Sequence, residues 1–131
     1  IQHKGRAGGA FDLAQARGAI HDSVAPFGGE IVIEKGLPNA FAGTPLHEEL
    51  QKLGRNNLIL TGFQTHMCVS ATARSALDHG YRSTVVADCC GTRALPDRKG
   101  GAVSAQVLHD ATLAALADRF AVVVERGEEL S

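Results

Sequence analysis

A parallel α/β fold is predicted by two features of this sequence. Four short runs of β-branched and apolar residues lie at positions 31–33, 58–61, 83–87 and 121–124, and each is nearly continuous, as expected of strands covered on both faces. Segments with helical spacing lie between successive runs. Such alternation along one chain is typical of a parallel sheet with right-handed crossovers.

Each predicted helix has start and stop signals. The first begins at Thr44-Pro45, with threonine as N-cap and proline in the first turn, and it ends at Gly54. The second runs from about residue 67 to residue 79 and ends at Gly80. The third runs from about residue 102 to residue 118, and its apolar stripe consists of Val103, Val107, Leu108, Ala111, Ala114 and Ala115.

The segment before the first run is predicted to be a long loop. Regular structure is interrupted there by glycine and proline at Gly5, Gly8, Gly9, Gly18, Pro26, Gly28 and Gly29. A loop of this length in a compact domain is often functional or accompanies a missing element. Since the chain opens with Ile1 and its only methionine is Met67, we expect that it lacks its natural start.

Length and composition limit the possible functions. The 131 residues predict one domain, 1–131. A formal net charge of −1 and an aromatic content of 5% predict no binding to nucleic acid or to an anionic membrane surface. No apolar run approaches the roughly 18 residues of a membrane-spanning helix. Three cysteines, an odd number, favour a reducing cytoplasm over a disulfide framework.

Cys68 is the strongest candidate nucleophile. It falls in the first turn of the second predicted helix, at the carboxyl end of a strand, where α/β sheets bind ligands. Free N–H groups and the helix dipole favour a thiolate there and can hold a developing oxyanion. The alternative is a small buried apolar residue, the usual role of a free cysteine.

Four further residues near strand ends are candidates. Lys35 ends an apolar strand and is interpreted as a proton carrier or anion partner, or else as an exposed strand end. His66, in the loop before Cys68, either contacts substrate or structures the loop. Cys89 and Cys90 are interpreted as a buried pair rather than redox partners, because adjacent cysteines form a strained disulfide.

Neither a metal nor a cofactor is expected. The six histidines show no metal-ligand spacing with a third ligand nearby. The glycines at positions 5, 8 and 9 do not form G-x-G-x-x-G, and no phosphate-binding G-x-x-x-x-G-K-[ST] is present.

Three blocks of this sequence resemble the isochorismatase-like cysteine hydrolases. The central block is residues 61–69 with 71–76 and Gly80, the upstream block is Lys35 with 40–44 and Leu46, and the downstream block is 85–88 with Thr92 and Arg93. The resemblance runs from His3 to about Val124. It implies a Rossmann-like, three-layer αβα fold around a six-stranded parallel sheet in the order 3-2-1-4-5-6.

The resemblance implies that the N-terminal part of that fold is absent from this sequence. Residues 1–3 would be the tail of the second strand, so the chain would hold the C-terminal two-thirds of the domain. The first strand, its helix and the catalytic aspartate would then be missing. Because that strand lies in the middle of the sheet, we expect the isolated chain to fold poorly or to be inactive.

The resemblance also implies a chemistry. The family uses an Asp-Lys-Cys triad, of which Lys35 and Cys68 match two members. In its amidohydrolases the thiolate attacks an amide-type carbonyl, and water hydrolyses the resulting acyl-enzyme. A non-proline cis peptide is expected at Phe63–Gln64, with the N–H groups of Gln64 and Cys68 directed at the oxyanion.

The expected substrate is a small molecule in a pocket lined by Phe41, Phe63 and His66. Residues 5–29 lack the clustered Asp and His ligands of nicotinamidases, which leaves amide, ureido and related C–N bonds. Two alternatives remain open: vinyl-ether hydrolysis of isochorismate, and a truncated domain without catalysis. The resemblance further suggests a homodimer or homotetramer.

Overall fold

Strands and helices alternate along the chain in the predicted order. The computed structural model describes residues 1–130, and Ser131, the last residue of the predicted domain, lies outside them. The described elements are β1 (Gln2–His3), β2 (Glu34–Lys35), α1 (Leu46–Lys52), β3 (Asn57–Phe63), α2 (Ser70–Asp78), β4 (Arg82–Gly91), β5 (Leu95–Pro96), β6 (Ala102–Val103), α3 (Ala105–Arg119) and β7 (Val122–Val124).

Two parallel sheets with flanking helices confirm the α/β class. In one sheet β1 pairs with β2, and in the other β3, β4 and β7 lie side by side in that order. These neighbours match positions 3-2 and 4-5-6 of the predicted strand order. Within residues 1–130, no strand is hydrogen-bonded between β1 and β3, where the first strand of that order would lie.

Burial on both faces was predicted for every strand, and this was wrong for three of them. In β7, Val122 is 62% exposed and the other two residues are half-buried. In β4, residues 83 and 85–87 are buried, as predicted. Residues along β3 alternate between exposed and half-buried, which is the pattern of a strand packed on one face only. In the run 31–33, only Ile33 is buried, and the strand itself begins one residue later, at Glu34.

The main core lies between β4, the start of α2 and one face of α3. Its buried residues are Val69, Ala73, Val85, Ala87, Leu113 and Leu116. The predicted apolar stripe of α3 was wrong: Val107 is 59% exposed, and Ala111, Ala114 and Ala115 are also exposed. Leucine buries more apolar surface than alanine, so Leu113 and Leu116 determine which face of the helix packs on the sheet.

The segment between β1 and β2 is a loop, as predicted, with two single-turn 3₁₀ helices at Ala16–Gly18 and Asp22–Val24. It folds back on itself around Asp12, whose carboxylate accepts hydrogen bonds from the N–H groups of Gly8 and Ala14. Those backbone bonds hold the pKa of Asp12 below its ordinary value. Gly18 has to be glycine, since a Cβ there would lie 2.2 Å from the Asp12 carbonyl oxygen.

Removal of the Leu116 side chain tests the core directly. Leu116 is fully buried, so Leu116→Ala should lower the free energy of unfolding by about 2–5 kcal/mol through lost burial and a cavity. The matched control is Leu53→Ala, at a residue that is 59% exposed, which should cost less than about 1 kcal/mol. Urea denaturation followed by circular dichroism measures both, and equal losses would contradict this description of the core.

Candidate active site

Lys35 is a charged side chain buried between the two sheets. Parallel pairing places its Cα opposite that of His3, so the last residues of β1 and β2 lie side by side. The Lys35 side chain is buried, at 6% exposure. A buried cation needs polar partners to offset the lost hydration.

The Lys35 ammonium has three such partners. Its Nζ lies 2.9 Å from the carbonyl oxygen of Leu37, 3.0 Å from Nδ1 of His3 and 3.3 Å from Sγ of Cys68. An ammonium carries three N–H donors, so each contact can use one. The structure thus brings together the two residues that the sequence singled out, and His3 joins them.

Cys68 reaches Lys35 from a π-helical turn, Thr65–Val69, that leads into α2. Turns of this kind are rare in proteins, and those that do occur often lie at functional sites. The prediction had placed Cys68 in the first turn of an α-helix instead. The carbonyl of Gln64 accepts hydrogen bonds from the N–H groups of Met67 and Val69, and the predicted cis peptide at Phe63–Gln64 is present.

Two side-chain contacts tie this turn to the rest of the domain. Thr65 is fully buried, and its Oγ1 lies 2.9 Å from Nδ1 of His109 on α3. The imidazole of His66 is hydrogen-bonded to the hydroxyl of Thr92, beyond the end of β4. His66 therefore makes a contact that structures the loop, which is one of the two roles the sequence left open.

A cavity of about 190 Å³ lies beside Cys68, between β1–β2 and β3. Its polar lining consists of His3, Lys35, Cys68, Thr61 and Thr72, and its apolar lining includes Ile1, Leu60, Phe63 and Val69. Within residues 1–130 no Asp or Glu lines this cavity. The site as described therefore has a thiol and a cation but no carboxylate.

Phe41 lies away from this cavity, unlike Phe63. It is buried in a second core cluster with Ala76 and Tyr81, and its ring stacks on that of His79 at a centroid distance of 4.7 Å. Its backbone N–H donates a hydrogen bond to the side-chain oxygen of Asn39. Of the three residues expected to line the pocket, only Phe63 borders the cavity that contains Cys68.

The remaining two cysteines, Cys89 and Cys90, were predicted to be a buried pair, and this was wrong. Cys89 is exposed and Cys90 is half-buried, and neither forms a disulfide. The hydrogen bond from the Cys89 thiol to Asp88 raises the pKa of Cys89, and burial raises the pKa of Cys90. Both thiols therefore have less thiolate near neutral pH than an ordinary cysteine.

Sequence reasoning missed His3. Its role follows from strand pairing, because a histidine that ends β1 lies beside whichever residue ends β2. The signal was available, since the family resemblance places residues 1–3 in the strand next to the run 31–33. Burial, and secondly the positive charge of Lys35, lower the pKa of His3 below its ordinary value, which favours a neutral imidazole near pH 7.

Other types of site were also sought in residues 1–130. No group of three or more His, Cys, Asp or Glu side chains there is arranged to hold a metal ion. The helices of this part of the chain are each too short or too polar to cross a membrane. A second cavity of about 300 Å³, lined in part by Asp88, His109 and Glu125, contains neither Lys35 nor Cys68.

Fold and site place the chain among α/β proteins with a cysteine–lysine pair at the ends of parallel strands. The family model of the isochorismatase domain matches residues 1–128. The chain belongs to the isochorismatase family. An isochorismatase of Pseudomonas putida KT2440, solved by crystallography, superposes with a TM-score of 0.91 at 45% identity, over 95% of this chain and 63% of that one.

Two relatives from other organisms agree with this assignment. The isochorismatase family protein YddQ of Bacillus subtilis is 43% identical over 104 residues, 79% of this chain and 57% of YddQ. The secreted isochorismatase effector Isc1 of Verticillium dahliae is 38% identical over 105 residues, 80% of this chain and 53% of Isc1. The chain thus spans just over half the length of these relatives. The cytoplasmic location and the homo-oligomer remain predictions.

Thiol labelling tests the different environments of the three cysteines. We expect iodoacetamide to modify Cys68 faster than Cys89 and Cys90 at pH 7.5, because the pKa values of Cys89 and Cys90 are raised and the Lys35 ammonium lies 3.3 Å from Cys68 Sγ. Trypsin separates Cys68 (residues 56–74) from the other two (residues 83–93), so mass spectrometry gives both rates. Equal rates at pH 7.5 would contradict the expectation.

Proposed function

We propose that this chain carries the nucleophile and the cation of a cysteine hydrolase that cleaves small amide or ureido-type C–N bonds. The observation that carries the proposal is the 3.3 Å contact between Lys35 Nζ and Cys68 Sγ beside a cavity. A cavity of about 190 Å³ suits a small-molecule substrate.

In the proposed reaction, the Cys68 thiolate attacks the carbonyl carbon of the substrate. Lys35 stabilises the thiolate before attack, and the backbone N–H groups of Gln64 and Cys68 hold the oxyanion of the tetrahedral intermediate. Collapse of the intermediate breaks the C–N bond, and the amine leaves with a proton. Water then hydrolyses the Cys68 thioester and regenerates the thiol.

The amine requires a proton donor and the water a base, and a single carboxyl group of an Asp-Lys-Cys triad can serve as both. No Asp or Glu within residues 1–130 lines the cavity. We therefore assign the triad carboxylate to a residue outside 1–130, which the length of the relatives allows. The chain spans only 57% of YddQ and 53% of Isc1.

Two relatives support the choice of bond. A maleamate amidohydrolase of Pseudomonas putida is 39% identical over 75 residues, which is 57% of this chain. A ureidoacrylate amidohydrolase of Methylorubrum extorquens is 33% identical over 85 residues, which is 65% of this chain. Both names describe hydrolysis of an amide-type bond in a small acid, so we propose the same class of bond here.

Replacement of Cys68 tests the proposed nucleophile. In the protein that also carries the triad carboxylate, release of ammonia from a panel of small amides and ureido acids should fall by about 10³-fold or more in Cys68→Ala, because the covalent route is lost. Cys89→Ala is the matched control and should retain the starting activity. Isochorismate hydrolysis that persists in Cys68→Ala would instead favour the vinyl-ether alternative.

Replacement of Lys35 tests thiol activation without any need for turnover. Lys35→Met keeps an apolar stem of similar length but removes the ammonium, so Cys68 alkylation at pH 7.5 should slow by about tenfold or more. Lys52→Met is the control, since Lys52 is exposed, pairs with Glu49 and does not line the cavity. Unchanged alkylation in Lys35→Met would refute the proposed role of Lys35.

A further inference from the structure

We propose that His3 is a positioning residue of this site: its Nδ1 accepts one hydrogen bond of the Lys35 ammonium and thereby directs another onto Cys68 Sγ. The inference rests on the proposed function of Lys35 and Cys68. It assigns a role to the one remaining polar side chain that touches Lys35 Nζ, at 3.0 Å.

The chemistry of the three groups fixes which atom accepts. The ammonium has donors only, so the contact requires a lone pair on Nδ1 of His3. With Nδ1 as acceptor, the proton of the neutral ring resides on Nε2, which defines the tautomer. The lowered pKa of His3 supports a neutral ring, because an imidazolium has no lone pair to offer.

The His3 ring is itself held in place. It lies on β1, directly opposite Lys35 in the parallel register, so the backbone of both residues is fixed by the same strand pair. The ring of Phe11 meets it edge-on at a centroid distance of 5.0 Å. The Glu34 carboxylate next to Lys35 pairs with Lys4, so it does not compete for the Lys35 ammonium.

A fixed acceptor matters because lysine is flexible. Its four-carbon stem ends in a compact charge that can turn toward any acceptor within reach. The Leu37 carbonyl and His3 Nδ1 occupy two N–H donors, which leaves the third for Cys68. Without His3, the ammonium has one protein acceptor besides the sulfur, and its position relative to Cys68 is less defined.

The test compares two substitutions of His3 in the full chain. His3→Leu removes the acceptor, and His3→Asn restores it, since the side-chain oxygen of asparagine lies where histidine has Nδ1. Iodoacetamide modification of Cys68 at pH 7.5 is measured relative to Cys89 in the same molecule. We expect the ratio of rates to fall about fivefold or more in His3→Leu and to stay within about twofold of the starting value in His3→Asn.

Circular dichroism and urea denaturation show whether each variant is folded, and His3→Ala replaces His3→Leu if the latter is unstable. An unchanged ratio in His3→Leu, or an equal loss in His3→Asn and His3→Leu, would overturn the inference. Lys35→Met separates the two levels of the argument. If Cys68 is alkylated slowly in Lys35→Met but at an unchanged rate in His3→Leu, only the role of His3 is refuted. If Cys68 is still alkylated rapidly in Lys35→Met, the proposed function is refuted as well.

Discussion

The burial of one positive charge is the constraint on which the rest of the site depends. Lys35 is the charged side chain that the described residues bury most fully. An isolated ammonium in such a place would be very costly, so every donor needs an acceptor. The acceptors come from β1, from the loop after β2 and from the π-helical turn. Satisfying Lys35 therefore fixes three separate segments relative to one another.

This constraint also explains how the two sheets relate. No strand within residues 1–130 joins β1 to β3 by backbone hydrogen bonds. The contact from Lys35 to Cys68 crosses from one sheet to the turn that follows the other, next to the cavity between them. The N–H of Ala40 adds a second link, because it donates to the buried Thr72 hydroxyl on α2. Contacts that involve side chains thus connect the two sheets, which backbone hydrogen bonds between strands do not join.

The sequence predicted the parts of the structure that carry local signals or match a family motif. Strand and helix order, the nearness of Lys35 to Cys68 and the cis peptide at Phe63–Gln64 were all anticipated from patterning or from family resemblance. The exposed face of α3 was not anticipated, because alanines at helical spacing indicate a helix but do not show which of its faces packs on the sheet. The position of Phe41 depends on a tertiary neighbour, the ring of Tyr81. His3 required strand register, which composition does not reveal.

The hydrogen bond between Thr65 and His109 has a consequence for how the site is assembled. It joins residues 44 positions apart, and the contact of His3 with Lys35 joins residues 32 positions apart. Closing such loops costs chain entropy before any contact compensates for it. A ribosome that has released the chain only as far as the end of α2 therefore exposes Cys68 in an unanchored turn. The geometry around the thiol becomes defined only after α3 has emerged and docked.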